Sequence, residues 1–459
     1  MLNYQDVAKT FNLDGAVKEM LSGSVDQLNA CYECCDRHAE ADREKVALYW
    51  QAKDGRKEQY TFAQLKKWSS QFANFLKSQG IQAGDRISGL LPRTPELLVV
   101  ILAAWRIGAV YQPLFTAFGP KAIEHRVQLA KSKLVVTDIG NRSKLDEVAQ
   151  CPQIMTVADQ QGHAVQQGDL DFWKELNQQA EQCDLVMQSI QDPFLLMFTS
   201  GTTGPAKPLE VPLKALIAFG NYMKDAIGLR ADDAFWNIAD PGWAYGLYYG
   251  ITGPLLLGHA TLFYEGGFSI DSLCQIIDDY KITNLAGAPT AYRMMMAADP
   301  TQMAQLKGKF RVVSSAGEPL NPEVFRWFKQ VLDAPIFDHY GQTEVGMVVC
   351  NHHGLNHEVR AGAAGFASPG YRVAVVDDQG NELAADTAGI LAVDISQSPM
   401  MWFAGYTESR KSPFIKNYYL TGDTAELHAD GSMSFVGRSD DVITTSGYRI
   451  GPFDVESAL

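Results

Sequence analysis

No apolar stretch in this 459-residue chain is long enough to cross a bilayer. Each is broken by Gly, Pro or charge well short of the roughly 20 residues that a spanning helix needs. No integral membrane segment is therefore expected. Positive charge is also scarce. Against 53 Asp and Glu stand 39 Lys and Arg, a net charge of −14, which argues against a general nucleic-acid surface. The first residues, Met1-Leu2-Asn3-Tyr4-Gln5-Asp6, hold no basic region followed by an apolar core, so no secretory leader is read. Cysteines are few: seven, at 31, 34, 35, 151, 183, 274 and 350. An odd count without framework spacing suggests reduced thiols in a cytoplasm. Cys31-Tyr32-Glu33-Cys34-Cys35 looks like half a zinc site, but no second Cys/His pair at metal spacing accompanies it. Leu28, Cys31, Cys35 and His38 fit better on one face of a helix over residues 29–43. Internal repeats and low-complexity runs are absent. No G-x-G-x-x-G follows a strand, which excludes the dinucleotide fingerprint. Lys207 is followed by Pro208, which excludes a Walker A loop.

What is present describes an ordinary globular protein, 46% hydrophobic and 20% charged. Its length calls for two or more packed units. After N-terminal helices, strands are read at 46–51, 87–91, 135–136 and 155–157, with helices at 63–78 and 96–107. Thr61 is a good N-cap for the first helix, and Gly108 ends the second. This β-α-β-α rhythm predicts a doubly wound α/β sheet. The rhythm repeats after residue 207, with strands at 261–264, 284–286 and 311–314. A helix capped by Asn321 then starts with Pro322 at its first position. Beyond about residue 360 the texture changes to short strands at 373–376, 389–393 and 434–436. These predict a small antiparallel sheet or barrel. Residues 158–169 read as an exposed loop.

The most informative segment is Phe198-Thr199-Ser200-Gly201-Thr202-Thr203-Gly204-Pro205-Ala206-Lys207. It follows the apolar run Pro193-Phe194-Leu195-Leu196-Met197, which reads as a buried strand. Glycines let the backbone turn and present its N–H groups, hydroxyls add donors, and Lys207 adds a movable positive charge. Together these can wrap a polyphosphate. A Gly/Thr/Ser cluster is also what an ordinary polar loop looks like.

Three further strands run into loops of unusual content: Ala286-Gly287-Ala288-Pro289-Thr290, Ser315-Ala316-Gly317-Glu318-Pro319, and Phe337-Asp338-His339-Tyr340-Gly341-Gln342-Thr343-Glu344. Ligands of open α/β sheets bind beyond the carboxyl ends of the strands, so these loops should converge on one crevice. Tyr340 offers an aromatic face for a purine or a core side chain. Thr343 could donate to a phosphate or cap a helix. Glu344 could hold Mg²⁺ as a hard oxygen ligand, or be a solvated acid. A third group is Tyr418-Tyr419-Leu420-Thr421-Gly422-Asp423, Gly437-Arg438-Ser439-Asp440-Asp441 and Ser446-Gly447-Tyr448-Arg449-Ile450-Gly451-Pro452. Asp423, read at a strand end, could accept both hydroxyls of a ribose. Arg438 and Arg449 could reach ribose and phosphate, or be surface arginines beside a turn acid.

In this order and spacing the strings resemble the adenylate-forming superfamily, which holds acyl-CoA synthetases, luciferases and peptide-synthetase adenylation domains. The resemblance runs from about Cys31 to the last residue. Asp240-Pro241-Gly242-Trp243 and Gly253-Pro254-Leu255-Leu256-Leu257-Gly258 are most similar to the AMP-forming acyl-CoA synthetases of the acetyl- to medium-chain type. It implies two doubly wound α/β subdomains to about residue 360 and a β-rich subdomain at about 361–438. The hinge and the start of a further domain would then occupy residues 439–459. It implies that Thr199, Ser200, Gly201, Thr202, Thr203, Gly204 and Lys207 hold the β- and γ-phosphates. Gly317, Glu318, Pro319, Asp338, His339 and Tyr340 would frame adenine, and Gly341 and Gln342 would also belong to the ATP site. Thr343 would touch the α-phosphate and Glu344 would hold Mg²⁺. Asp423 and Arg438 would hold the ribose, Arg449 the phosphates. Asp440 would be the hinge, and Gly447 would line the CoA tunnel. Lys207, Thr343 and Glu344 would carry catalysis.

The implied chemistry joins a carboxylic acid to the α-phosphate of ATP, releases pyrophosphate, and passes the acyl group to CoA. The family continues for roughly 100 residues more, a small domain that carries a second lysine. The chain as given is therefore expected to bind ATP and acid but to adenylate slowly. Trp243, Tyr245, Ala288, Ala316, Gly341 and Met347 would line the acyl pocket. Acetate-specific members close that pocket with a tryptophan at the position of Gly341. A medium-chain, branched or aryl acid is therefore expected, each buried methylene contributing about 0.8 kcal/mol. Tyr245 could shorten the channel toward propionate or butyrate. A non-catalytic ATP/acyl-binding protein and a module that loads a carrier protein are the other functions this residue set allows.

Overall fold

The computed structural model describes residues 1–158, 164–199, 206–360, 362–407 and 412–439, and the backbone alone of 443–445 and 448–450. The β-α-β rhythm has become two parallel-rich sheets. The first runs in the order Lys207–Pro212, Pro193–Thr199, Val110–Pro113, Arg86–Leu90, Leu134–Asp138, Gln153–Val157 and Leu170–Asp171. Only its first pair is antiparallel. The second runs Phe235–Asn237, Asn284–Gly287, Val312–Ala316, Ile336–Gln342, Gly346–Cys350 and Phe366–Ala367. It is parallel up to Ile336–Gln342 and antiparallel beyond. The β-rich part is an antiparallel sheet of Val373–Val376, Gly389–Asp394, Tyr418–Leu427 and Phe414–Ile415, with Met433–Arg438 also on Tyr418–Leu427.

Local chemistry explains the helices. Thr61 caps Phe62–Ser78 in a reciprocal box: its hydroxyl accepts the Gln64 N–H, and Gln64 Oε1 accepts the Thr61 N–H at 2.8 Å. Pro95–Arg106, with the sequence PELLVVILAAWR, is apolar around its whole circumference. Every residue in it except Glu96 is buried, as an all-round hydrophobic helix requires. Arg106 at its end is 1% exposed. It forms a two-pronged ion pair with Asp36, Nη2–Oδ1 2.6 Å and Nη1–Oδ2 2.9 Å, and Nη2 also donates to Ser69 Oγ at 3.1 Å. This pair ties the N-terminal segment to the first sheet's central helix.

The expected helix over 29–43 is present from residue 30 to 41, with a π-turn at Tyr32–Asp36 running into Arg37–Ala41; three other expectations change. Cys31, Cys34 and Cys35 face the core, and burial pushes the Cys31 thiol up to about 12. Thr261–Tyr264 does not extend the second sheet; it pairs with Val46–Gln51, which pairs in turn with Lys57–Thr61. Residues 336–342 form a strand where a loop was expected. Asp423 lies within the strand Tyr418–Leu427 and does not end it. Gly422, at φ +74°, gives that strand its turn-like look in sequence. Part of the expected 158–169 loop, residues 159–163, lies outside the described residues.

Candidate active site

The strand Ile336–Gln342 lies beside Val312–Ala316, with His339 opposite Ala316. It then reverses through Thr343-Glu344-Val345 into Gly346–Cys350. This hairpin explains Gly341: a Cβ there would sit 2.2 Å from Gly346 O and 2.7 Å from Met347 Cα. Gly317, just past Val312–Ala316, needs glycine for another reason. Its φ is +98°, and nothing lies within 4 Å of where a Cβ would be, so backbone conformation and not crowding selects it.

Asp423 is the hub between the second sheet and the β-rich part. It is 3% exposed. Its Oδ2 accepts the Tyr340 hydroxyl at 2.5 Å and Gln342 Nε2 at 2.7 Å, and Arg438 Nη1 lies 2.9 Å from Oδ1. Gln342 also donates to Thr421 O at 2.9 Å and accepts the Tyr419 hydroxyl at 2.8 Å. Burial pushes the Asp423 carboxyl up, while Tyr340, Arg438 and Gln342 pull it back. The result is a carboxylate fixed in orientation, beside a guanidinium. That suits a vicinal diol such as a ribose.

At the other end lie Lys207 and Glu344, the residues expected at the phosphates. Lys207 sits opposite Thr199 across the antiparallel pair, so the segment between them begins and ends at one edge of the first sheet. Glu344 is 7% exposed, and burial raises its carboxyl above the usual range. Its Oε1 accepts the Tyr406 hydroxyl at 2.6 Å, and the Lys207 ammonium lies over the Tyr406 ring, 5.1 Å from its centroid. The Thr343 carbonyl accepts the Tyr248 hydroxyl at 3.1 Å. Among the described residues no group of three or more His, Cys, Asp or Glu could cage a metal. A single buried carboxylate is nevertheless what Mg²⁺ uses when substrate phosphates supply the other ligands, so Glu344 fits that ion.

Asp338 fits the purine end. Its Oδ2 accepts the Leu320 N–H at 3.2 Å, and its Oδ1 is buried without a partner, open to a donor such as an amino group. Burial pushes this carboxyl up to about 7, against the Leu320 N–H, which lowers it. Glu318 turns away from Asp338, toward the exposed Arg293 and Thr290 at 2.9 and 3.1 Å.

Among the residues expected at the acyl pocket, Tyr245 ends a chain of hydroxyls. His339 Nε2 lies 2.9 Å from Asn351 O, a carbonyl that only accepts. Burial holds this imidazole neutral, at about 4, so Nδ1 must be the acceptor. The Tyr222 hydroxyl therefore donates to Nδ1 at 2.7 Å, and the Tyr245 hydroxyl donates to Tyr222 at 3.2 Å. The Met347 N–H donates to the Tyr249 hydroxyl at 2.9 Å. Trp243, 37% exposed, packs against Phe115 and Phe118 at 5.6 Å each. Ala316 is buried, and Ala288 starts the helix Pro289–Met296.

Ser200, Gly201, Thr202, Thr203, Gly204, Asp440 and Gly447 lie outside the described residues. Arg449 pairs through its backbone with Thr444. Tyr406 and Tyr222 were not singled out in sequence. Tyr406 follows the apolar run Met400-Met401-Trp402-Phe403, which signals core and not chemistry.

These features place a cluster of charged and hydroxyl side chains where a parallel-rich sheet meets a β-rich part. The family model described as AMP-binding enzyme matches residues 35–405. The chain is 36% identical, over 470 aligned positions, to the acetyl-coenzyme A synthetase of Bacillus subtilis (strain 168), covering 100% of this chain and 80% of that protein. It is 34% identical to the mitochondrial acyl-coenzyme A synthetase ACSM4 of Rattus norvegicus, covering 90% and 72%. Among solved structures, the acyl-CoA synthetase of Brucella canis shares 54% identity at a TM-score of 0.93, covering 100% and 84%. The anthranilate CoA ligase AuaEII shares the fold, with a TM-score of 0.85 at 23% identity. The chain belongs to the AMP-binding enzyme family.

Proposed function

We propose that this protein is an AMP-forming acyl-CoA synthetase, an acid–thiol ligase that activates a medium-chain, branched or aryl carboxylic acid. The observation that supports the reading is the Asp423 hub, with Tyr340, Gln342 and Arg438 on one carboxylate, together with the contacts of Tyr406 to Glu344 and Lys207. The reactants are ATP, the acid and CoA. A carboxylate oxygen of the acid attacks the α-phosphorus, the acyl–O–P bond forms, and pyrophosphate leaves with the electron pair of the broken P–O bond. The CoA thiolate then attacks the acyl carbon and AMP leaves. Bound Mg²⁺ would neutralise phosphate charge, held by Glu344. The protein positions and neutralises, and contributes no covalent step. Asp423 and Arg438 fix the sugar, and Lys207 meets the terminal phosphates. The chain's seven unpaired cysteines fit a reducing cytoplasm.

The acid is inferred from the pocket wall. Ala288, Ala316 and Gly341 are small, and the indole of Trp243 packs on Phe115 and Phe118. Gly341 does not act alone, since its hydrogen is also what the hairpin demands. The Tyr245 hydroxyl, fixed by Tyr222, supports a second reading, propionate or butyrate. A panel of acetate, butyrate, octanoate and benzoate in acid-dependent pyrophosphate exchange separates them. Octanoate or benzoate should give the highest kcat/KM; butyrate leading supports the second reading, and acetate leading refutes both. No helix among the described residues is long and apolar enough to cross a membrane.

A further inference from the structure

Among the described residues, Tyr406 contacts both charged groups at the proposed phosphate end. Its hydroxyl donates to Glu344 Oε1 at 2.6 Å, and its ring lies under the Lys207 ammonium at 5.1 Å. The ring is itself held in place. Phe403 packs edge-on at 5.1 Å. The next residue, Thr407, bonds Pro208 O through both its N–H and its hydroxyl at 3.3 Å, and Pro208 follows Lys207. The segment bearing Tyr406 is thus stitched to the strand bearing Lys207, while its phenol reaches across to the second sheet's hairpin.

We propose that Tyr406 is a positioning residue for adenylation, aiming the Glu344 carboxylate at the divalent cation and keeping Lys207 directed at the terminal phosphates. The proposal rests on the reading of Glu344 as the metal-holding residue. A phenol suits both tasks. One donated hydrogen bond orients a carboxylate yet leaves it anionic, with lone pairs for a hard cation. An aromatic face attracts an ammonium without neutralising it, so the lysine keeps its charge for phosphate. A carboxylate at the same place would compete with the phosphates for Lys207, and an amide would not hold it.

The test compares Y406F, Y406A and E344Q on the whole chain. It measures equilibrium binding of ATP with Mg²⁺ varied, the same binding in EDTA, the unfolding midpoint without ligand, and pyrophosphate exchange. Y406F keeps the ring and its packing. It should raise the Mg²⁺ concentration for half-maximal ATP binding about tenfold, with ATP affinity in EDTA and the unfolding midpoint unchanged. Y406A should do the same and also weaken ATP in EDTA severalfold, because the Lys207 contact is lost. E344Q should raise the Mg²⁺ requirement at least as much as Y406F. An unchanged Mg²⁺ requirement in Y406F beside a raised one in E344Q overturns the role of Tyr406 alone. No change in either variant overturns the metal role of Glu344 as well.

Discussion

Replacing Asp423 with alanine is expected to weaken ATP binding by about a hundredfold or more while the protein still folds. The carboxylate holds Tyr340, Gln342 and Arg438 together at 2.5, 2.7 and 2.9 Å. A hydrogen bond to a charged group contributes roughly 1.5–3 kcal/mol, and about 1.4 kcal/mol is a tenfold change in affinity. Losing the ribose acceptor and releasing Arg438 together account for the factor. Asp423→Asn should fall between wild type and Asp423→Ala, because an amide keeps one acceptor but brings an N–H toward the Tyr340 hydroxyl or Arg438. Calorimetric titration with ATP measures it. Affinities within threefold of one another across the three proteins would remove Asp423 from the nucleotide site.

The second large effect is on stability. Asp36→Ala leaves the Arg106 guanidinium, 1% exposed, in the core without its counter-charge. Breaking a buried pair from one side costs about 3–5 kcal/mol. Much of that cost is the uncompensated charge and not the attraction lost, so a double replacement, Asp36→Leu with Arg106→Met, should recover a large part of it. Urea midpoints of the three proteins decide this. A loss below about 1 kcal/mol for Asp36→Ala would mean that water reaches Arg106 and the pair is not sealed.

Elements with local causes were legible in the sequence. Thr61 and Gln64 spell a capping box, PELLVVILAAWR spells a fully buried helix, and Asn321-Pro322 spells a helix start. Partner choice was less legible. Thr261–Tyr264 alternates like its neighbours in sequence, yet it pairs with Val46–Gln51, some two hundred residues away. The Gly-Gln-Thr run after Tyr340 looked like a loop because glycine and polar residues usually mark one. Here Gly341 and Gln342 end a strand whose hairpin partner approaches too closely for a side chain at Gly341, and Thr343 begins the turn. The proposed nucleotide residues could be named because phosphate and sugar recognition needs particular residue types in short strings. Tyr406 and Tyr222 could not. Their roles come from long-range contacts, such as Tyr406 to Glu344 and Tyr222 to His339, and a tyrosine in an apolar run carries no mark of its partner.

The central claim is that Lys207, Glu344, Asp423 and Arg438 build one site for an acyl-adenylate. The direct measurement is calorimetric titration of the chain with a non-hydrolysable acyl-adenylate mimic, an acyl-sulfamoyl adenosine, against AMP. The site should bind the mimic about a hundredfold or more tightly than AMP, as expected for a ligand resembling the reaction's intermediate, and Asp423→Ala should weaken both. Equal affinity for the mimic and AMP, undisturbed by Asp423→Ala, would contradict it.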